Sequence, residues 1–334
     1  MVEMLISEMN AIFVADDLVE FLGNHEGHLA NVHSVYRHAL NLLIGKDELV
    51  TITNQDDIQP MGLTIEQGDS FAQALRAGDR MILDVDRFTA ANGIVSINLR
   101  DAKVWKTRSI LSQDSLPTAN VAQTRLELIS WLGKQPAEGL LPLLPRLTGR
   151  SKVTQRFKDN IYSRYIADDL DAFTRAANIS DWELALTLAD RLVGFGMGST
   201  PSCDDFLAAY LVVFSIADTL NPGLNPWIRK FNNAVANKAK TRTTLISANM
   251  LRHAADGKIS QSHQQLIKAC LFKYQSDLAD LASQVMRHGA TSGGDFLLGL
   301  VCALEWFQTV KSNTEKEGER AWVENNLPQP MPGI

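Results

Sequence analysis

Two stretches of the sequence combine residue types that suit the handling of small anions. Residues 196–207 read GMGSTPSCDDFL and residues 291–300 read TSGGDFLLGL. A Ser-x-x-Asp-Phe-Leu unit therefore stands at Ser202–Leu207 and again at Ser292–Leu297. Each unit follows a glycine-containing turn and opens an apolar run. Unpaired N–H groups and the positive end of the dipole at a helix start favour phosphate or carboxylate. Glycine lets such a loop take positive φ or approach a ligand closely. On this reading Gly196, Gly198, Thr200, Ser202 and Asp204 form one half of an anion cradle. Thr291, Ser292, Gly293 and Gly294 form the other half. The plainer alternative is a capping box, with Ser202 or Ser292 at N-cap and Asp205 or Asp295 three residues on. Thr200, followed by Pro201 at the first helical position, is an equally good start. Capping accounts for serine and aspartate but not for four glycines.

A third stretch, KAKTRTTLISANMLRHAADG at 238–257, places Arg242, Ile246, Asn249 and His253 at helical spacing. One face then carries a guanidinium and an amide together. Arginine grips carboxylate or phosphate through two parallel hydrogen bonds. The alternative is a solvated face on which Lys238, Lys240 and Arg242 serve solubility alone. Asp204–Asp205 also suits a cation in phosphoryl transfer, but no Gly-Lys-Thr/Ser phosphate loop accompanies it. Four of the seven histidines fall in HEGHLANVHSVYRH, His25–His38. Their spacing is not that of a helical His-x-x-x-His pair, and Glu26 is the only evident carboxylate partner. No metal site or cofactor is expected. Cys203 sits at a helix start, where thiolate is favoured, yet no base accompanies it. It reads as a small packing residue.

The elements that must position these residues change character along the chain. VHSVY, ELVTITN, MGLTIEQ, RMILDV and GIVSINL are short, rich in β-branched residues and bounded by turn formers. RMILDV and GIVSINL read as neighbouring strands. From about Pro117 onward, apolar residues recur every three or four positions, as helices require. Continuous helical texture runs through Asn225–Ala255, Gln261–Arg287 and Gly294–Lys311. LPLLPRLTGRS (141–151) has the prolines and glycine of a junction, and the last stretch is polar and proline-containing. The expected fold is α+β, with a small β-rich N-terminal domain before a larger, mostly helical C-terminal domain. The boundaries are 1–116 for the β-rich domain, 117–312 for the helical domain and 313–334 for a polar tail.

Composition narrows the partners. The 334 residues are 45% hydrophobic and 21% charged, an ordinary globular balance. A net charge of −6 without a basic stripe argues against nucleic acid. Three scattered cysteines form no Cys-x-x-Cys pair and fit a reducing compartment. The start, MVEMLISEMN, lacks the pattern of a secretory signal. The apolar run FLAAYLVVFSIA is too short to span a bilayer. A cytoplasmic protein without membrane partners is expected.

Three of these stretches together resemble a known family. GSTPSCDD, KTRTTLISANMLRHAADG and HGATSGGDFLLG look like its Gly-x-Thr-Pro-Ser-x-Asp-Asp, Thr-Thr-x-x-Ser and Gly-x-Thr-Ser-Gly-x-Asp motifs. This bacterial family includes the AllH-type subunit of oxamate carbamoyltransferase, from anaerobic allantoin breakdown. VHSVYRHALNLLIGKDELVTI is similar to the family's N-terminal segment, so the likeness covers most of residues 28–305. Cys203 stands where the family usually has glycine, and Ser199 where it usually has leucine. The resemblance implies a component of a multisubunit enzyme that exchanges carbamoyl between oxalurate and phosphate, giving oxamate and carbamoyl phosphate; the alternative is a non-catalytic ligand-binding or scaffold subunit whose partners carry the chemistry. It adds Thr243 and Thr244 to the substrate-binding set, and Arg242, Asp205 and Asp295 become the catalytic candidates. Carbamoyl transfer passes through a tetrahedral intermediate whose oxyanion needs donors, each worth about 2.7–4 kcal/mol. Glycine-loop N–H groups and Arg242 would supply them, while the aspartates orient an amide or hold the helix starts.

Overall fold

The computed structural model describes residues 7–24, 27–66, 74–108, 120–149, 160–221, 226–272 and 277–326, with side chains described as far as Val310. Strands β1 (Ser7–Ala15), β2 (His28–Val35), β3 (Ala39–Ile44), β4 (Glu48–Thr53) and β5 (Gly62–Ile65) are followed by four shorter ones. These are β6 (Arg80–Leu83), β7 (Arg87–Ala90), β8 (Val95–Asn98) and β9 (Lys103–Trp105). The strands form one sheet in the order β5-β4-β3-β2-β6-β7-β8-β1-β9. An antiparallel pairing of β1 with β5, Ala11 opposite Ile65, closes the sheet on itself. Closure pairs what would otherwise be sticky edges. Helix α1 (Asp16–Gly23) drops Leu18 and Leu22 into the barrel core beside Leu40, Ile52 and Phe88.

RMILDV and GIVSINL are not neighbours, because β7 lies between β6 and β8 and pairs antiparallel with both. β7 reads Arg-Phe-Thr-Ala, with Phe88 as its one large apolar side chain, so it carries a weaker strand signal than RMILDV or GIVSINL.

From Val121 onward the fold is helical. The helices are α2 (Val121–Leu132), α3 (Leu144–Leu147), α4 (Ile161–Asn178), α5 (Trp182–Leu192), α6 (Ser202–Leu220) and α7 (Pro226–Arg242). They continue with α8 (Leu245–Ala255), α9 (Gln261–Leu271), α10 (Leu278–Met286) and α11 (Ser292–Asn326). The stretch at 141–147 is no junction. A 3-10 turn (Leu141–Leu143) runs into α3, with prolines at the opening positions that suit them. Leu141, Leu143, Leu144 and Leu147 are buried in the helical core. The texture over 225–255 divides into α7 and α8, and that over 261–287 into α9 and α10. α11 continues through Asn326, past the point where the polar tail is expected. No helix among the described residues is long and apolar enough to cross a membrane.

Candidate functional site

α6 and α11 run through the helical core, which holds Leu207, Leu211, Phe214, Leu297, Leu300 and Leu304 together. Their backbones cross closely at Gly299, where a Cβ would run into the Phe206 carbonyl. The close crossing sets the two helix starts side by side. Thr200 Oγ1 lies 2.8 Å from Ser292 Oγ, so the two loops meet as the composite site requires.

The serines and aspartates do not cap their own helices. Pro201 occupies the N-cap of α6 without a side-chain bond, and the Asp204 and Asp205 amides both donate to the Pro201 carbonyl. The serine hydroxyls cross over instead, while each threonine serves the aspartate of its own loop. Ser292 and Thr200 hydrogen-bond to Asp205, whereas Ser202 and Thr291 hydrogen-bond to Asp295. Asp204 is a stitch: Oδ1 accepts the Gly194 amide at 2.8 Å, and Oδ2 accepts Thr243 Oγ1 at 2.5 Å and Ser247 Oγ at 2.6 Å. Thr244 is the N-cap of α8, accepting the Ser247 amide at 3.1 Å and donating to the Ser199 carbonyl at 2.5 Å. Asp204, Thr243 and Thr244 thus bind the 194–200 loop to the α7–α8 corner.

The glycines divide by the same test. Gly196 and Gly198 hold positive φ, and a Cβ on Gly196 would meet the Ser202 amide. Gly293 and Gly294 are helical. A Cβ on Gly293 would strike the Val285 carbonyl, and one on Gly294 would press on the Leu141 side chain. These two make close packing contacts around the start of α11. Asp295 faces the same side, where its Oδ1 accepts the Leu140 amide at 2.6 Å.

A cavity of about 260 Å³ opens on the other side of the helix pair, lined by Thr200, Asp205 and Ser292. Its wall also includes Leu49 and Thr51 of β4, Ile246, Asn249 and His253 of α8, and Lys258, His263 and His288. Arg242 is absent from this wall. Thr243 and Thr244 break the helix expected across them, so Arg242 ends α7 and is exposed while Ile246, Asn249 and His253 keep their shared face on α8. Also outside the lining are Gly196, Gly198, Ser202, Asp204, Thr243, Thr244, Thr291, Gly293, Gly294 and Asp295.

Electrostatics mark Asp205 as the unusual group. Burial, and then the negative charge of Asp295, push its carboxyl well above the ordinary range, against the pull of the Ser292 and Thr200 hydroxyls. Its Oδ2 is buried with no hydrogen-bond partner, as is that of Asp295, but only Asp205 lines the cavity. Burial lifts Asp295 to about 6 despite the Leu140 amide and the Ser202 and Thr291 hydroxyls. Burial, reinforced by the Arg252 and Lys258 charges, pushes His253 well below its ordinary value and keeps it neutral. His253 Nε2 lies 3.3 Å from an Arg252 nitrogen that can only donate, so the proton sits on Nδ1. That Nδ1 is buried and unpartnered too.

The cavity sits on the seam between barrel and helices, which polar contacts hold together. Asn249 Nδ2 donates to the Asp47 carbonyl at 2.9 Å, Arg252 pairs with Glu48 at 2.6 Å and Lys258 with Asp17 at 3.0 Å. Two family models match the sequence: one described as the AllH family N-terminal domain, over residues 10–104, and one described as oxamate carbamoyltransferase subunit AllH, over residues 192–304. The chain belongs to the AllH family. No solved structure matches it. In this AllH-family chain the two matched segments supply the whole cavity wall, β4 from the first and α6, α8 and the start of α11 from the second. The intervening segment contributes Leu140, which covers Asp295 from behind.

Sequence reasoning overlooked His263, His288, Lys258 and Asp57. His263 and His288 are 25 residues apart by the numbering and carry no local pattern. The conspicuous N-terminal histidines do not converge. His28 stacks on Phe21, His33 bonds Ser34 and His38 bonds Asn54, while His25 and Glu26 lie outside the described residues. Cys203 is fully buried in the helical core, and burial pushes its thiol well up.

Proposed function

We propose that this cavity is where the oxamate carbamoyltransferase of this family, with other subunits present, binds the carbamoyl-bearing small anion, and that Asp205 is the residue that handles its amide. The observation that carries the reading is the buried, unpartnered Oδ2 of Asp205 on a cavity that both family-matched segments enclose. Asp295, the corresponding residue of the second Ser-x-x-Asp unit, already accepts an amide N–H from Leu140. A neutral carboxyl accepts one N–H and donates one O–H, matching the N–H and C=O of a carbamoyl group. His253 Nδ1–H and the Thr200 and Ser292 hydroxyls add donors on the same wall, suited to an oxyanion.

In the degradative direction a phosphate oxygen attacks the carbamoyl carbon of oxalurate. The bond from that carbon to the oxamate nitrogen breaks. Asp205 gives its proton to the leaving nitrogen and regains one from the attacking phosphate, so atoms and charge balance. The test is carbamoyl phosphate formation from oxalurate and phosphate, by this chain alone and with its partner subunits, comparing parent with Asp205→Asn. Asparagine keeps the shape but cannot relay a proton, so the rate should fall about a hundredfold or more. Parent-like turnover by Asp205→Asn would overturn the assignment.

A further inference from the structure

Beside the cavity, three metal-ligating side chains converge from three distant parts of the chain. Asp57 follows β4, His263 lies in the first turn of α9, and His288 follows α10. One ligand atom from each lies within 4.8 Å of the other two. His288 Nε2 is 3.0 Å from Asp57 Oδ2, and the two imidazole centroids are 4.9 Å apart. Ser260 Oγ holds His263 Nδ1 at 2.7 Å, and Ser262 Oγ lies 3.3 Å from the same nitrogen and 3.1 Å from His288 Nε2. The Ser262 amide holds Asp57 Oδ1 at 2.7 Å, leaving Oδ2 toward His288. Asp57 and His263 are thus each oriented by a hydrogen bond to a neighbouring group, as ligands of metal centres are.

We propose that Asp57, His263 and His288 form a binding site for one divalent transition-metal ion of the zinc class. Two imidazoles and one carboxylate are a borderline ligand set, favouring such ions over Mg²⁺ or Ca²⁺, which prefer all-oxygen shells. Bonds of about 2.0–2.2 Å place tetrahedral ligand atoms about 3.3–3.6 Å apart, so the cluster closes around an ion by about 1 Å. Three protein ligands leave a fourth position open, as catalytic rather than structural zinc sites do. His263 and His288 line the Asp205 cavity, and Asp57 and His288 line a neighbouring cavity of about 740 Å³ that gives an ion a route in. An ion held there polarises a carbonyl or phosphoryl oxygen bound in the cavity. The rival account is a clip, in which Asp57 caps α9 and pairs with His288, fastening barrel to helices without any ion.

The test uses the full chain stripped by a chelator and dialysed against Zn²⁺ alone, with bound metal quantified and affinity measured by competition. It needs no substrate, so its outcome is separate from that of the carbamoyl assay. The site predicts one Zn²⁺ per parent chain and affinity more than tenfold weaker in each of Asp57→Asn, His288→Gln and His263→Gln. Circular dichroism checks that each variant is folded. Should the buried His263 variant unfold, the half-buried His288→Gln decides. A parent chain that takes up no Zn²⁺, or binding left unchanged by the folded variants, overturns the site in favour of the clip.

Discussion

At the start of α6, Asp205 keeps one buried carboxyl oxygen free beside the cavity. At the start of α11, Asp295 gives Oδ1 to the Leu140 amide, and its own unpartnered Oδ2 lies outside the cavity lining. Both aspartates stand three residues after a serine, are buried, and take hydroxyls from each other's loop. The difference lies in what covers them. Residues 139–141 close over Asp295, and Gly139 holds positive φ where a Cβ would run into that carboxyl. Asp205 instead lines the cavity beside Thr200 and Ser292. A helix start of given composition is therefore a site or a fastening according to what the rest of the chain lays across it.

The sharpest way to break this comparison is to make the same change in both halves. Asp205→Asn is expected to cost about a hundredfold or more in turnover by the assembled enzyme. Asp295→Asn should leave turnover within a few-fold of the parent, because the new amide oxygen still accepts from Leu140. Equal losses in steady-state assays would mean that the halves are not functionally distinct.

A pH series sharpens the difference by isolating Asp295. Its folded pKa of about 6 stands above the ordinary carboxyl value of 3.8, so between those values the folded state holds more protons. Its contribution is therefore fully present below about pH 4 and falls away as pH rises through about 6. The whole change is on the order of 3 kcal/mol. Denaturant melts at pH 4 and pH 7 should show Asp295→Asn lacking this loss relative to the parent. An identical pH slope in the two proteins would contradict the burial argument.

Smaller effects separate packing glycines from cradle glycines. Gly293→Ala should cost about 1–3 kcal/mol, since the Val285 carbonyl is backbone and cannot step aside. Gly294→Ala meets only the tip of Leu141 and should cost less than about 1 kcal/mol. Ligand affinity, measured by calorimetry on the folded fraction, should change little in either variant. A large affinity loss with unchanged stability would restore both residues to a ligand cradle.

Arg242 should give the smallest effect. It is exposed and lies outside the cavity wall, so Arg242→Ala should alter stability by no more than about 0.5 kcal/mol and leave anion affinity as it was. A clear drop in affinity in the same titration would return it to the substrate site.

The sequence by itself determined the succession of strands and then helices, because period-2 and period-3.6 apolar patterns report which face of an element meets a core. It determined the burial of Leu207–Phe214 and Leu297–Leu304, and the shared face of Ile246, Asn249 and His253, for the same local reason. The two Ser-x-x-Asp units were legible as a pair, but their unequal use was not. That depends on Leu140, which lies 155 positions before Asp295 and carries no signal of its role. Periodicity likewise ran through Thr243–Thr244, where a side-chain cap for α8 competes successfully with helix continuation and turns Arg242 away. Only the docking of the barrel on the helices brought Asp57 to His263 and His288, across 205 positions in the case of its bond to Ser262. Local patterns fix faces; which polar groups converge is decided where two independently formed cores meet, since that seam is specified by contacts between residues far apart in the chain.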